Sequence, residues 1–464
     1  MFTLGIDVAK KTSRYLLLSP EGRRVKSFTL ENSPEGFQNL LQRLQELSIP
    51  PADLLIGMEA TGNFWENLYS HLKEKGFSVV LLNPYHVKKY REALAKKAKT
   101  DDLDALVIAQ FLRTGEYVQS QVAEESIQSL REITRLRYEL LTEKKNYQRQ
   151  ACSLLALVFP EHAQTALKNP FSVSALTIFQ RFPTARDLAQ AKPKQIEKII
   201  RSIPGNSFGP DDIQNLIAIA QKSIYSGRAK EARAVSLRIL LGHIANLLSS
   251  IELLDQEISK MLSPQGLQDS FPGENLLTIP GIGDKTVAAV LSYLGTDGAN
   301  FSSSTRAVGY VGYFPKIYES GQTKRQNKIS KRGPKLLRWA LYMAAVASLK
   351  HNAEMRALYH RKISQGKTQK QALIYLAKKL LQIMLAMLKS GEPYNPLMVF
   401  VHAKKVNTLW ITFSPCPPFF TWFLIGCLFQ REESFGKIRR KILPFSFWNR
   451  PPSHPSSPVG EREG

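Results

Sequence analysis

Four carboxylates occupy positions from which they could act together. Asp7 closes the apolar run of LGIDVAKK, Glu59 closes that of LLIGMEATG, and Asp101 and Asp104 lie three apart in KTDDLDALVIAQFL. The two runs read as strands and the third segment as a helix, so two acids sit at strand ends and two on one helical face. Carboxylate oxygens in that number suit a hard cation that keeps part of its water shell, Mg²⁺ above all, or Mn²⁺. Two such ions about 3.5–4 Å apart can hold both the attacking and the leaving oxygen of a phosphodiester. Any one of these acids taken singly is more often a solvated or helix-capping residue, so the case rests on their convergence. Asp102 is set apart, because the neighbour of Asp101 in a helix cannot share its face and should point away.

The elements that must position these acids are legible over the first 115 or so residues. Thr3 to Asp7, Arg14 to Leu18 and Arg24 to Thr29 are short β-type runs separated by turn residues, which predicts a meander. Pro34 to Leu47 reads as a helix opened by Asn32 and Ser33, followed by a strand over Leu54 to Met58, a helix over Trp65 to Lys75 and a strand over Ser78 to Leu82. A meander followed by alternating helices and strands predicts a mixed α/β sheet.

Beyond about Glu124 the pattern turns helical. Leu237, Leu240, Ile244, Leu247, Ile251, Leu254, Ile258 and Met261 recur at alternating steps of three and four, the seam of a coiled coil, and Ile127 to Val158 carries a weaker one. These predict two long arms. Periodicity shows a seam but not its partner, so contact between copies and a hairpin within one chain are both open. Residues 165–225 form a helical insert with turns at Asn169-Pro170 and Ile203-Pro204-Gly205. In LLTIPGIGDKTVAAVL a helix running to Thr278 stops at a tight turn and Asp284 is expected to cap the next helix, the form of a helix-hairpin-helix. There Gly281, Gly283 and Lys285 could offer backbone N–H groups and a cation to a phosphate, although a plain tight turn between core helices has the same look.

Charge points the same way. The 464-residue chain has 63 Lys and Arg against 39 Asp and Glu, a formal charge of +24. Such an excess fits a polyanionic partner, nucleic acid first, and position must separate this from a surface merely solubilised by lysine. From Ser320 to Lys389 there are sixteen Lys or Arg and one acid, Glu354. The helical patterns of Trp339 to Leu349 and Ala372 to Leu388 put those cations on a folded face. Three cysteines, Cys152, Cys416 and Cys427, with no CxxC pair support neither a disulfide framework nor a zinc site. The N-terminus lacks the order of a signal peptide, which fits a cytoplasmic protein. The uncharged stretch from Val406 to Gln430 has three prolines at its centre, which argues against a membrane-spanning helix, so no membrane partner is expected.

With these residues in view, GIDVAKK, MEATGNFWENL, KTDDLDA, PGIG, ESG and KISKRGPKLLR, in this order, resemble the DEDD insertion-sequence transposases. The resemblance runs from Met1 to about Pro396. It implies a RuvC-like, ribonuclease-H-like α/β domain over 1–118 whose Asp7, Glu59, Asp101 and Asp104 bind the metal. Helical arms over 119–265 and a mainly α domain over 266–396 with a helix-hairpin-helix and a nucleophilic serine, Ser320, follow. On residue type alone a serine before a glycine is more often a turn residue, and no neighbouring His or Lys stands out as its base.

The resemblance further implies a bacterial or archaeal, nucleoid-associated enzyme that cuts and rejoins donor and target DNA. It would be guided by a structured RNA of the element and assembled as a dimer or tetramer through its arms. Lys324, Arg325, Lys328, Lys331, Arg332, Lys335 and Arg338 are then the expected phosphate contacts, against the alternative of a solvated basic face. Family members end near Pro396, so residues 397–464, rich in proline and tryptophan, are expected to lie outside the fold. Two competing readings remain: a metal-dependent junction-resolving nuclease using the acids alone, and a nucleic-acid-binding protein with structural carboxylates.

Overall fold

The computed structural model describes residues 1–60, 62–94, 100–117, 119, 124–205, 208–263, 273–320 and 323–399, of which 316–320 and 323–328 by their backbone alone. The tail from residue 400 on, including Val406 to Gln430, lies outside the described residues.

The meander is present as β1 (Phe2–Val8), β2 (Thr12–Leu18) and β3 (Arg24–Glu31). Helix α1 (Pro34–Glu46) follows, its first turn held by the Ser33 hydroxyl accepting from the Gly36 N–H and by a proline at the start. Then come β4 (Leu54–Glu59), α2 (Trp65–Glu74), β5 (Ser78–Leu82), α3 (Pro84–Ala93) and α4 (Asp101–Arg113). The sheet order is β3-β2-β1-β4-β5, antiparallel through the meander and parallel across β1, β4 and β5. This mixed sheet is the arrangement expected of a ribonuclease-H-like fold.

Strand alternation sorts its side chains by face. Leu4 and Ile6 of β1 and Leu54, Ile56 and Met58 of β4 join Leu40, Leu44, Leu68 and Leu72 in one core beneath α1 and α2. The opposite face of β1 and β4 meets α4, and there the strands offer glycine. A Cβ on Gly5 would lie 2.1 Å from the Ala105 carbonyl oxygen and 2.6 Å from the Ala109 nitrogen, and one on Gly57 would meet the Leu112 side chain at 2.5 Å. The missing side chains let α4 lie directly on the strands.

The arms are α5 (Glu125–Val158) and α10 (Lys230–Met261). They pack antiparallel within the chain: Arg137 pairs with Asp255, and Tyr147 stacks on His243 at 5.0 Å. Leu237, Ile244, Ile251 and Ile258 of the seam are buried, while Leu240, Leu247, Leu254 and Met261 are only partly covered. The seam's partner in this chain is therefore α5.

At the far end of the arms sit α6 (Val173–Arg181), α7 (Ala185–Ala189), α8 (Pro193–Arg201) and α9 (Pro210–Gln221), the expected helical insert. They share a core with Leu155, Val158, Leu237 and Leu241. At the near end Ile127, Leu130, Ile258 and Leu262 enter a second core, built with α11 (Glu274–Leu277), α12 (Asp284–Leu294) and α13 (Ser304–Val311). The strands β6 (Pro315–Ser320) and β7 (Thr323–Ile329) come next, then α14 (Lys335–His351), α15 (Ala353–Ser364) and α16 (Gln369–Ser390), which complete that core. By length and composition α10 and α16 could cross a membrane; α16 instead lies at the centre of this core, and α10 lines the arm.

Two expectations are corrected. The β6–β7 hairpin is absent from the sequence reading, because TKRQNKI has no apolar alternation to betray a strand. The fold also continues past residue 397: Met398 and Val399, in a short 3₁₀ turn, are buried against the C-terminal core.

Candidate active site

Asp7 lies one step beyond Ile6, and Glu59 one step beyond Met58. Those two residues are register partners in the parallel β1–β4 pair, so the acids end adjacent strands side by side. Alternation turns both toward the α4 face, with Gly5 and Gly57. Helix α4 begins at Asp101 because the Thr100 hydroxyl accepts from the Leu103 N–H. Its first turn carries Asp101, Asp102 and Asp104, where the helix dipole favours negative charge. The close approach allowed by Gly5 brings this acidic turn to the strand ends.

The electrostatics report the result. The Asp7 carboxyl is pushed up from 3.8 to about 6, first by burial and then by the charges of Asp104, Asp101 and Glu59, with Arg91 opposing. All three expected partners thus bear on Asp7. Among the described residues, no three His, Cys, Asp or Glu side chains are drawn together closely enough to grip one ion. Asp104, buried, forms an ion pair with Arg91 of α3. The donor set, four carboxylates repelling one another around a partly buried centre, fits a divalent cation. Asp102 turns away: its carboxylate accepts from Arg14 at 2.9 Å and Arg24 at 3.2 Å. Sequence reasoning missed Arg91, whose place depends on how α3 packs against α4 and leaves no local signal.

The C-terminal residues fall into three groups. Ser320 is the last residue of β6 and pairs with Thr323 of β7, so it stands at the turn of the hairpin. Its side chain, and those of Lys324, Arg325 and Lys328, lie outside the described residues.

At the α11–α12 corner, the Ile282 N–H donates to the Ile279 carbonyl at 3.0 Å and both isoleucines are buried. This leaves Gly281, Gly283 and Lys285 on the surface. Gly281 has φ +87°, and a Cβ there would crowd His351 and Ala347 at 3.2–3.3 Å. The cap of α12 is Gly283, not Asp284, whose carboxylate instead accepts from the Ser259 hydroxyl of α10 at 3.0 Å.

After the hairpin, the Lys331-Arg332-Gly333 loop docks on the end of α13. A Cβ on Gly312 would lie 2.2 Å from the Arg332 oxygen, and one on Gly333 1.8 Å from the Tyr310 oxygen. Arg338 reaches into this junction and donates to the Val311 carbonyl at 2.8 Å and the Arg332 carbonyl at 3.3 Å. One of its guanidinium nitrogens, Nη1, is thus held by backbone carbonyls. Lys331 and Lys335 remain exposed, and Arg332 lies over the Tyr85 ring at 5.9 Å. The loop that follows the Ser320 hairpin thereby leans on α3, the helix that carries Arg91.

Comparison with known proteins accounts for both ends of this arrangement. A DEDD model described as Transposase matches residues 4–160, and one described as Transposase IS116/IS110/IS902 family matches residues 273–360; together they cover more than half of the chain. A pilin gene-inverting protein of Moraxella lacunata is 25% identical over 394 residues, 84% of this chain and 97% of its own. An uncharacterized 43.6 kDa protein of the insertion element IS110 from Streptomyces coelicolor is 23% identical over 85% of this chain and 96% of its own. Among solved structures, Thermus thermophilus RuvC bound to a Holliday junction aligns with 26% of this chain and 99% of its own, at 17% identity and a TM-score of 0.20. By its two family matches and its near full-length relatives, the chain belongs to the IS110-type DEDD transposases.

Proposed function

We propose that Asp7, Glu59, Asp101 and Asp104 hold Mg²⁺ or Mn²⁺ and that Ser320 is the nucleophile of DNA strand exchange. The observation that carries the metal-binding half is the Asp7 carboxyl, raised first by burial and then by the charges of the other three carboxylates. A bound divalent ion would relieve that repulsion and stabilise charge on the oxygens of a phosphodiester. Ser320 ends β6 opposite Thr323 of β7, and the family resemblance assigns it the covalent role.

In the first step the serine oxygen forms a bond to phosphorus while the bond from phosphorus to the departing strand breaks, and the hydroxyl proton passes to the departing oxygen. In the second, a hydroxyl of the incoming strand attacks the phosphoserine and the serine oxygen leaves. One phosphoester bond forms for each that breaks, so no external energy is needed. Gly281, Gly283 and Lys285 would take a DNA phosphate at the α12 N-terminus. Lys331, Arg332 and Lys335, with Lys324, Arg325 and Lys328, would hold further phosphates of DNA or of the structured RNA that the resemblance implies. The partly covered Leu240, Leu247, Leu254 and Met261 are the surface on which copies would meet.

The test separates chemistry from binding. Ser320→Ala should abolish strand exchange and leave DNA affinity nearly unchanged, since one hydroxyl adds little to an interface dominated by phosphate charge. Wild type on a nicked substrate should carry DNA that survives denaturation, and both Ser320→Ala and Asp7→Ala should lose that adduct. Full metal-dependent cleavage by Ser320→Ala without an adduct would instead establish a nuclease that uses the carboxylates alone.

A further inference from the structure

The helical insert at the end of the arms plays no part in the chemistry above, yet it carries an organised cationic surface. Helix α8 presents Lys194, Lys198 and Arg201 at steps of four and three, one face of the helix. Between this helix and the end of α6 runs an open groove of about 710 Å³, lined by Gln180, Arg181, Gln195, Lys198 and Ser202 with Phe182. No acid lines it. Arg238 of α10 adds a further cation at its border, donating to the Gln180 carbonyl at 3.0 Å.

Some of the insert's other charges are matched inside the protein. Asp187 pairs with Lys230, Arg201 with Glu197, and Arg186 donates to the Ser226 carbonyl. Among the described residues, no carboxylate pairs with Arg181, Lys194 or Lys198. Cations, amides and a hydroxyl along an open groove are what a sugar-phosphate backbone requires, and nothing encloses the site as a small anion would need.

Position selects the partner. The 34 residues of α5 place the insert about 50 Å from the base of the arm, or ~15 base pairs of duplex at 3.4 Å each. Only an extended polyanion reaches both ends. We infer that the insert is a second DNA-docking surface, with Arg181, Lys194 and Lys198 gripping the duplex that runs away from the site of strand exchange. This requires only that the substrate is double-stranded DNA, and it stands apart from the roles of Asp7 and Ser320.

The test is the salt dependence of binding to a random-sequence duplex of about 60 base pairs, long enough to span the arm, by the full chain and its Arg181→Gln, Lys194→Gln, Lys198→Gln variant. The slope of log K against log salt should fall by about 0.9 for each cation neutralised, or ~3 in all. Affinity at physiological salt should drop on the order of 100-fold. The melting temperature should not move, since all three side chains are exposed, and a Lys194→Arg, Lys198→Arg variant should bind like wild type. An unchanged slope and affinity would overturn the inference. So would a loss confined to a structured RNA of similar charge, which would make the insert an RNA-binding surface instead.

Discussion

Neutralising Asp7 should stabilise the metal-free protein. Its carboxyl titrates near 3.8 when unperturbed and at about 6 in the fold. An acid raised in this way contributes stability while it is neutral, fully below about pH 4, and loses that contribution as pH rises through about 6. At neutral pH the folded protein therefore carries the cost of an ionised Asp7 beside three other carboxylates. At 1.36 kcal/mol per pH unit the ceiling is about 3 kcal/mol, and solvent screening of a partly exposed group reduces it to about 1–2 kcal/mol.

Asp7→Asn keeps the shape and removes the charge. In EDTA at neutral pH it should melt higher than wild type by about 4–8 °C if the N-terminal domain unfolds as a unit, taking ~2.1 cal/mol/K of unfolding entropy per residue. The difference should vanish near pH 4, where wild-type Asp7 is itself protonated. Millimolar MgCl₂ should then raise the wild-type transition and leave that of Asp7→Asn nearly unmoved, reversing the order. Differential scanning calorimetry in both buffers reads all three effects. If Asp7→Asn is no more stable than wild type in EDTA, the burial of Asp7 among the other three carboxylates is refuted.

Three other perturbations follow from the packing. Gly5→Ala places a methyl group against the α4 backbone and should cost about 2–3 kcal/mol in denaturant unfolding, with loss of metal-dependent stabilisation as Asp104 shifts from Asp7. Arg338→Ala strips the donors from the Val311 and Arg332 carbonyls and should lower stability by about 1–3 kcal/mol. It should leave the salt slope of DNA binding unchanged; a slope reduced by about 1 would return Arg338 to the phosphate contacts. Ending the chain after Phe400 should preserve the thermal transition, because residues 1–400 form one compact unit, whereas a cut before Met398 should lower it by removing Met398 and Val399 from the C-terminal core they help to cover.

Periodicity and turn chemistry wrote most of the N-terminal domain into the sequence. The three-strand meander, the parallel strands and the acids at their ends follow from alternation of two, and the pairing of Asp101 with Asp104 from the helical repeat, all local properties of the chain. The exclusion of Asp102 was equally local, although its partners Arg14 and Arg24 were not. The seam of α10 was legible as well, because a repeat of three and four needs no knowledge of what covers it.

The tertiary structure decided what a repeat cannot encode. It gave that seam to α5 of the same chain, and it set α4 on the sheet through the absent side chains of Gly5 and Gly57. Distant packing brought Arg91 to Asp104 and set one guanidinium nitrogen of Arg338 on the Val311 carbonyl. A charged side chain reads the same in sequence whether it faces a phosphate or a carbonyl, because its partner is fixed only by which helices meet. The β6–β7 hairpin that presents Ser320 was hidden for a related reason: its strands are polar and lack alternation, so the chain carries no local signal that they pair with each other.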